Sequence, residues 1–136
     1  MDANCIFCKI VKGEIPADVV YEDDKALAFL DIHPVNPGHV LVVPKSHHPT
    51  ILETPDAVVS DIFVKAKKLM IAIKEAAQAD FIVLSVVGTD VPHLHLHLIP
   101  RYHKDGLQNF WPTKEAKREE SKKIAEKIRD LISKSK

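Results

Sequence analysis

Residues 93–99 read His93-Leu94-His95-Leu96-His97-Leu98-Ile99, with Pro100 immediately after them. Strict alternation of apolar and polar residues predicts a β-strand over this stretch, because successive side chains of a strand point to opposite faces. The leucines are expected to enter the core while the three imidazoles line the opposite surface. Same-face neighbours in a strand lie roughly 7 Å apart, so these rings are close enough to share one small ligand.

Three aligned imidazoles suit two chemistries. Neutral ring nitrogens bind metals, and an unprotonated imidazole is also a nucleophile. Crowding favours at least one neutral ring near pH 7, because each protonated ring raises the cost of protonating the next. The chain has only 4 glycines and no glycine-rich phosphate loop or dinucleotide fingerprint that would indicate another chemistry.

The length of the chain, 136 residues, and its pattern of elements predict one α+β domain covering residues 1–136. Thr54 is a candidate N-cap for the clearest helix, with Pro55 at the first helical position. The pattern predicts helices over residues 5–12, 55–79 and 114–133, and strands over 19–22, 26–31, 40–44, 81–87 and 93–99. The continuous apolar run at 40–44 is typical of a strand buried on both faces.

Composition excludes several classes of protein. Lys plus Arg and Asp plus Glu number 19 each, so no net field attracts the chain to nucleic acid or to a membrane surface. The longest strongly apolar stretch, residues 81–88, is far shorter than the ~20 residues a bilayer requires. The first residues lack a secretory signal, which favours a cytoplasmic location and two reduced cysteines.

The histidine-rich strand resembles the His-φ-His-φ-His-φ-φ signature of the histidine triad (HIT) family, in particular its Hint branch. Two further segments resemble the family in the same order. The first is Cys5-Ile6-Phe7-Cys8-Lys9-Ile10, and the second runs from Ala28-Phe29-Leu30-Asp31 through Pro37-Gly38-His39 to Pro44-Lys45-Ser46-His47. The similarity covers most of residues 5–101. Beyond it, Trp111-Pro112 is faintly similar to the C-terminal segment of the Hint branch.

The resemblance implies a HIT-like fold, an antiparallel sheet with one long central helix and a C-terminal helix, in a homodimer. It also implies cleavage at the α-phosphorus of a nucleoside monophosphate conjugate of AMP or GMP type. His95 takes the position of the nucleophile, His97 that of a phosphate contact, and His39 that of a fourth, supporting histidine. Asp31 takes the position of the ribose contact, although a loop cap is the alternative. The positions around the base are Ile6, Phe7, Ile10, Phe29 and Ile32, which could instead be ordinary core residues.

Some family members hold structural zinc, and the resemblance implies the same ligands here. They are Cys5, Cys8, His47 and His93, two thiolates and two imidazoles of the kind that tetrahedral zinc prefers. His48 is the alternative to His47. His33 and His103 are expected to be solvated loop residues.

The chain departs from the family pattern just before the triad. The loop is shortened to Gly88-Thr89-Asp90-Val91-Pro92. Gly88 and Asp90 are expected to lie at the nucleotide, where Asp90 replaces a hydroxyl residue. Because a carboxylate repels a phosphate, either Asp90 faces an ammonium-bearing leaving group, or it helps protonate a departing amine, or turnover is slow, or the substrate differs.

Three functions therefore remain open. The first is a nucleoside phosphoramidase or nucleotidyl hydrolase that forms a nucleotidyl-histidine intermediate. The second is a zinc-stabilised nucleotide sensor or scaffold with little turnover, for which the altered loop is the best argument. The third, a metal carrier, does not explain the acid at the ribose position.

Overall fold

The computed structural model of the protein describes residues 1–107 and 112–135. Its centre is a five-stranded sheet in which all neighbours are antiparallel, in the order β1-β2-β3-β5-β4. The strands are β1 (Val19–Glu22), β2 (Ala26–Leu30), β3 (Val40–Pro44), β4 (Phe81–Ser85) and β5 (Leu96–Arg101). The helices are α1 (Ile6–Val11), α2 (Asp56–Ala77) and α3 (Arg118–Lys134). This architecture confirms the predicted α+β class.

The long helix α2 covers one face of the sheet. Its buried residues Ile62, Ala66 and Ile73 follow the helical period, so they form one apolar stripe toward the strands. The stripe packs against residues of β2, β3 and β5 whose side chains point to the same face. They are Ala28, Val40, Val42, Leu96 and Leu98.

The short helix α1 covers the opposite face. Alternate residues of β2 and β3 point this way and pack against the N-terminal segment in a second buried cluster. Its members are Cys5, Phe7, Cys8, Leu27, Phe29, Leu41 and Val43. All five residues of β3 are buried, as predicted for a strand covered on both sides. This second face carries the histidines.

The strand predicted over residues 93–99 is wrong at its N-terminal half, because β5 begins only at Leu96. The backbone N–H of His93 donates to the carbonyl of Val91, and that of Leu94 donates to the carbonyl of His48. These peptide groups are therefore engaged by loops rather than by a neighbouring strand. The imidazoles of His93 and His95 also do not lie on a surface, since both side chains are buried.

Other predicted boundaries also differ. The C-terminal helix predicted over residues 114–133 spans Arg118–Lys134, because the backbone is still extended at Lys117, and β2 ends at Leu30 rather than at residue 31. Thr54 does not cap α2, because its hydroxyl donates to the carbonyl of Thr50 at 2.7 Å. The helix begins at Asp56 after Pro55, and it ends at Ala77, where Gln78 adopts a left-handed conformation. Strand β4 ends at Ser85 rather than at residue 87.

The described chain divides into two compact units, Met1–Asp105 and Gly106–Lys136. The second unit contains α3, whose apolar residues Ile124, Ile128, Leu131 and Ile132 are exposed. Within the described residues, no helix has the length and apolar character needed to cross a bilayer. Trp111 lies outside the described residues.

Candidate active site

His95 stands just before β5, and its hydrogen bond fixes its tautomer. Its Nδ1 lies 2.7 Å from the carbonyl oxygen of His93. Because a carbonyl only accepts, Nδ1 carries the proton, and in the neutral ring Nε2 keeps its lone pair. The ring of Phe7 packs edge-on at a centroid distance of 5.0 Å. This contact and the hydrogen bond hold the imidazole in one orientation.

A carboxylate oxygen lies close to that lone pair. Oδ1 of Asp90 lies 3.7 Å from Nε2 of His95. A cavity of about 310 Å³ opens beside His95, lined by the 3-10 helix Ile51–Glu53 and the start of the loop after β4. Gly88 lines it in a left-handed conformation (φ +79°), which a residue with a Cβ adopts only at a cost. The shortened loop thus brings both Gly88 and Asp90 close to His95.

A second pair of histidines forms a chain of defined tautomers. The backbone N–H of Val35 donates to Nδ1 of His39 at 3.0 Å, so Nε2 of neutral His39 bears the proton. That Nε2 lies 3.0 Å from Nδ1 of His97, which therefore accepts. The remaining proton of His97 is on its Nε2. The ring centroids of His95 and His97 are 5.0 Å apart, so this donor belongs to the ring next to His95.

Burial keeps these rings neutral. Desolvation lowers the pKa of His39, and the nearby His97 lowers it further against the opposing effect of Asp31. Desolvation likewise lowers the pKa of His97, with His95 as the next cause. The tautomer chain therefore persists at neutral pH.

Asp31 sits at the end of β2 with one oxygen committed to the loop. Oδ1 accepts from the backbone N–H of His33 at 2.9 Å, the loop-cap contact that was the alternative interpretation. Oδ2 lies 3.5 Å from Nε2 of His39. Its side chain remains 18% exposed, so the carboxylate is still reachable from solvent.

The five apolar residues expected around a base divide into two groups. Phe7 and Phe29 are buried and contact each other edge-on at 5.6 Å between ring centroids. Ile10 is half-buried and packs against the same cluster. Ile6 and Ile32 are exposed, Ile32 by 84%. Only these two offer a substantial apolar surface to a planar ligand.

The four predicted metal ligands converge at the start of α1. Nδ1 of His93 lies 3.3 Å from Sγ of Cys5, 3.5 Å from Sγ of Cys8 and 3.3 Å from Nδ1 of His47. In a tetrahedral zinc site the nitrogen–nitrogen and nitrogen–sulfur edges are about 3.3 and 3.5 Å, from bond lengths near 2.05 and 2.3 Å. The three distances from His93 therefore match the edges of a tetrahedral zinc site, and all four ligand atoms lie within 4.8 Å of one another. His48 is not among them, since its Nε2 contacts Oγ of Ser46 at 2.9 Å.

The surrounding hydrogen bonds prepare this cluster for a metal. Nε2 of His93 donates to the carbonyl of Pro44 at 2.8 Å, so Nδ1 presents its lone pair to the cysteines. Nε2 of His47 faces Oδ2 of Asp2 at 3.8 Å. Burial raises the pKa of the Cys5 thiol, so metal binding must release its proton.

Sequence reasoning missed three partners: Val35, Pro44 and Asp2. The first two act through backbone groups, for which residue type carries no signal. Asp2 lies before the segment Cys5–Ile10 that resembles the family, and its charge was the only signal for a contact with a histidine. His33 and His103 are exposed loop residues, as predicted.

Comparisons with known proteins agree with this geometry. Residues 12–104 match the HIT domain family. A HIT-like protein of Methanocaldococcus jannaschii is 47% identical over 106 residues, covering 75% of this chain and 82% of the relative. Adenylylsulfatase HINT3 of Arabidopsis thaliana is 38% identical and covers 96% of this chain and 66% of the relative. Adenosine 5'-monophosphoramidase HNT1 of Saccharomyces cerevisiae is 41% identical, with 85% and 74% covered.

Solved structures give the same result. A crystal structure from Streptococcus mutans superposes with a TM-score of 0.87 at 34% identity, covering 97% of this chain and 87% of that one. A zinc-bound histidine triad protein from Mycobacterium smegmatis has a TM-score of 0.74 at 32% identity, with 98% of both chains covered. With its fold, its histidine cluster and its sequence all in agreement, the chain belongs to the HIT domain family.

Proposed function

We propose that the protein is a nucleotide hydrolase that cleaves nucleoside phosphoramidates or related conjugates at the α-phosphorus, with His95 as the nucleophile. The observation that carries the proposal is the hydrogen bond from Nδ1 of His95 to the carbonyl of His93. It leaves Nε2 unprotonated in the neutral ring, which is the form of imidazole that attacks phosphorus.

The reaction has two steps. Nε2 of His95 attacks the α-phosphorus, the bond from phosphorus to the leaving nitrogen breaks, and the amine departs with a proton from solvent. Water then attacks the nucleotidyl-imidazole, the nitrogen–phosphorus bond breaks, and the water's second proton goes to solvent as the nucleoside monophosphate is released. Histidine is regenerated, so the net change is hydrolysis.

The neighbouring residues take supporting roles. Nε2–H of His97 donates to a non-bridging phosphate oxygen, and His39 holds His97 in the tautomer that makes this possible. The free lone pairs of Asp31 accept from the ribose hydroxyls. Ile6 and Ile32 sandwich the base, while Phe7, Ile10 and Phe29 support that slot from the core.

The substrate class follows from the relatives. One is named an adenosine 5'-monophosphoramidase and another an adenylylsulfatase, so both names describe an adenylyl group joined to a leaving group. We extend this class to the present chain as a purine nucleoside monophosphate conjugate. The family resemblance carries that extension, and the exposed isoleucine pair fits a flat base.

Zinc is proposed as a structural cofactor held by Cys5, Cys8, His47 and His93. The donor set and the edge lengths described above fit a tetrahedral ion, and a relative of the same fold is zinc-bound. Bound there, the ion joins α1 to the segment that ends in His95. It supplies rigidity rather than a reacting group, because its ligands leave no open position.

A homodimer is proposed on the family resemblance. Strand β4 is an edge of the sheet, and Val64 and Ile71 expose apolar surface on α2. A second copy covering these features removes both an unpaired edge and apolar surface from water. The molar mass of the purified protein in solution, measured by light scattering, tests this assignment.

The activity is tested by AMP release from adenosine 5'-phosphoramidate. The parent protein is expected to release AMP, and His95→Ala is expected to lose turnover by at least about a thousandfold. His33→Ala, a change in an exposed loop histidine, is the matched control and retains activity. Zinc content and a thermal melt on each sample show that a dead variant is still folded. AMP binding without release by the parent protein contradicts the proposal and favours the sensor.

A further inference from the structure

We propose that Asp90 determines the leaving-group specificity of this site, favouring cationic amine leaving groups over anionic ones. The inference rests on the proposed function and narrows it to one class of substrate. Asp90 occupies the position at which the chain departs from the family pattern, so its effect distinguishes this protein from relatives with a hydroxyl residue there.

The distance to the nucleophile makes Asp90 relevant to the reaction. Oδ1 of Asp90 lies 3.7 Å from Nε2 of His95, and its side chain is 66% exposed. Near-attack geometry brings phosphorus to about 3 to 3.5 Å from the nucleophilic nitrogen. The leaving atom lies one bond beyond phosphorus, roughly 5 Å from that nitrogen, so the carboxylate of Asp90 is close enough to act on the charge of the departing group through space.

The carboxylate of Asp90 is also free to interact. Among the described residues, 1–107 and 112–135, neither of its oxygens accepts a hydrogen bond, and its close ionisable neighbour is Nε2 of His95, 3.7 Å from Oδ1. Asp2, the other acid nearby, is already engaged by the backbone N–H of Asn4 and lies close to His47. Of these two acids, Asp90 is the one with both oxygens available for a leaving group.

The short loop fixes where that charge stands. Gly88 makes a left-handed turn soon after β4, and the N–H of His93 donates to the carbonyl of Val91 at 2.8 Å. Thr89 and Asp90 lie between these two points, so Asp90 immediately precedes the residue whose carbonyl accepts from His93.

A cavity beside Asp90 offers space for a leaving group. It measures about 240 Å³ and is lined by the N-terminal residues Asp2, Asn4 and Ile6 together with Asp90 and Val91. Its described lining has two carboxylates and no lysine or arginine. A group bearing an ammonium is favoured in such surroundings, whereas a sulfate or phosphate is repelled.

The size of the effect follows from Coulomb's law. At about 5 Å and with water-like screening, one unit charge beside a carboxylate changes an equilibrium or a rate by roughly fourfold. Replacing a cationic leaving group by an anionic one changes the interaction by two units, so about a fifteenfold difference is expected. Most of it should disappear at high salt, because the side chain is largely exposed.

The experiment compares three adenosine 5'-phosphate conjugates that differ only in the leaving group. They are the N-(2-aminoethyl) phosphoramidate, which carries an ammonium, the neutral N-propyl phosphoramidate, and adenosine 5'-phosphosulfate. For each, kcat/KM is measured with the parent protein, Asp90→Asn, Asp90→Ser and the control Asp24→Asn, which removes an exposed acid in the turn between β1 and β2. For each protein, the ratio of kcat/KM on two conjugates is calculated. When these ratios are compared between proteins, the intrinsic reactivity of the conjugates cancels.

We expect Asp90→Asn and Asp90→Ser to lower the cationic-to-neutral ratio by about three- to fivefold and to raise the relative rate on the sulfate. Asp24→Asn should leave both ratios at the parent values. AMP release with unchanged ratios in both Asp90 variants overturns this inference alone. No release from any conjugate by the parent protein overturns the hydrolase assignment and this inference together.

Discussion

The Nε2 atom of His39 lies 3.0 Å from Nδ1 of His97, and this contact joins the loop before β3 to the neighbouring strand β5. The backbone N–H of Val35 occupies the other nitrogen of His39. Because a backbone amide can only donate, one peptide group determines the protonation of two side chains in succession. The loop, and not the histidines alone, therefore determines that the proton of His97 is on Nε2, where the phosphate is proposed to bind.

This relationship predicts the effect of removing His39. His39→Ala should lower kcat for AMP release by about ten- to a hundredfold with little change in KM, because His97 loses the partner that orients it. His39→Gln should recover part of kcat, since its amide N–H can still donate to Nδ1 of His97. Steady-state kinetics on adenosine 5'-phosphoramidate measure both parameters. An equal loss in both variants, or a change confined to KM, contradicts the orienting role.

Removal of the metal ligands is expected to affect stability more than chemistry. The purified protein should contain one zinc per chain, and Cys8→Ser should lose it and unfold with a free energy lower by more than about 3 kcal/mol. Zinc analysis and urea unfolding measure these quantities. His48→Ala, next to the proposed ligand His47, is the matched control and should keep its zinc. Full zinc content in Cys8→Ser contradicts the assigned ligand set.

The pH dependence of stability follows from the buried histidines. Burial lowers the pKa of His39 and of His97 in the folded protein, whereas the unfolded chain has values near 6.5. Below about pH 6.5 the unfolded state therefore binds more protons, and stability falls as the pH drops, by up to about 1.4 kcal/mol per pH unit for each proton. Between pH 7 and 8 both states leave these rings neutral, so their contribution is constant.

Urea unfolding at pH 7.5, 6.5 and 5.5 checks this expectation. The parent protein should lose stability across the series, and His39→Gln should show a shallower slope because it removes one of the titrating groups. His33→Gln, a matched change in an exposed loop, should follow the parent curve. A parent curve that rises toward pH 5.5 has the opposite sign and excludes the proposed cause.

Much of the site could be predicted because its signals are local in sequence. Alternation of leucine and histidine predicted which side of β5 faces α2, and Leu96 and Leu98 are buried there. The family resemblance predicted that Cys5, Cys8, His47 and His93 lie together. Their ligand atoms are indeed within 4.8 Å of one another.

The features that could not be predicted depend on backbone groups, which residue type does not reveal. The strand starts late at Leu96 because the amide of Leu94 is taken by the carbonyl of His48, which is remote in sequence. Thr54 fails as a cap because the carbonyl of Thr50 accepts its hydroxyl proton. The sequence also could not distinguish buried Phe29 from exposed Ile32, because both residues are apolar.

A buried ion pair supports the loop that carries His39, which leads to a prediction about Asp105. Its carboxylate binds the guanidinium of Arg101 and accepts from the backbone N–H of Tyr102 at 3.2 Å. The amide of Asn36 contacts the same carboxylate at 3.3 Å and also donates to the carbonyl of Pro100 at 2.9 Å. The side chain of Asp105 is only 4% exposed, so its charge is shielded from water and depends on these partners.

Asp105→Ala should therefore lower the free energy of unfolding by about 3 to 5 kcal/mol, because it removes the buried carboxylate that pairs with the guanidinium of Arg101. Glu22→Ala is the control: Glu22 pairs with Lys45 at 2.7 Å but is 52% exposed, and its loss should cost less than about 1 kcal/mol. Urea unfolding at pH 7.5 measures both. AMP release at a temperature where Asp105→Ala is still folded should also fall, since Asn36 then loses one of the two contacts that hold the loop before His39. Equal stability of the two variants contradicts the distinction between the buried and the exposed pair.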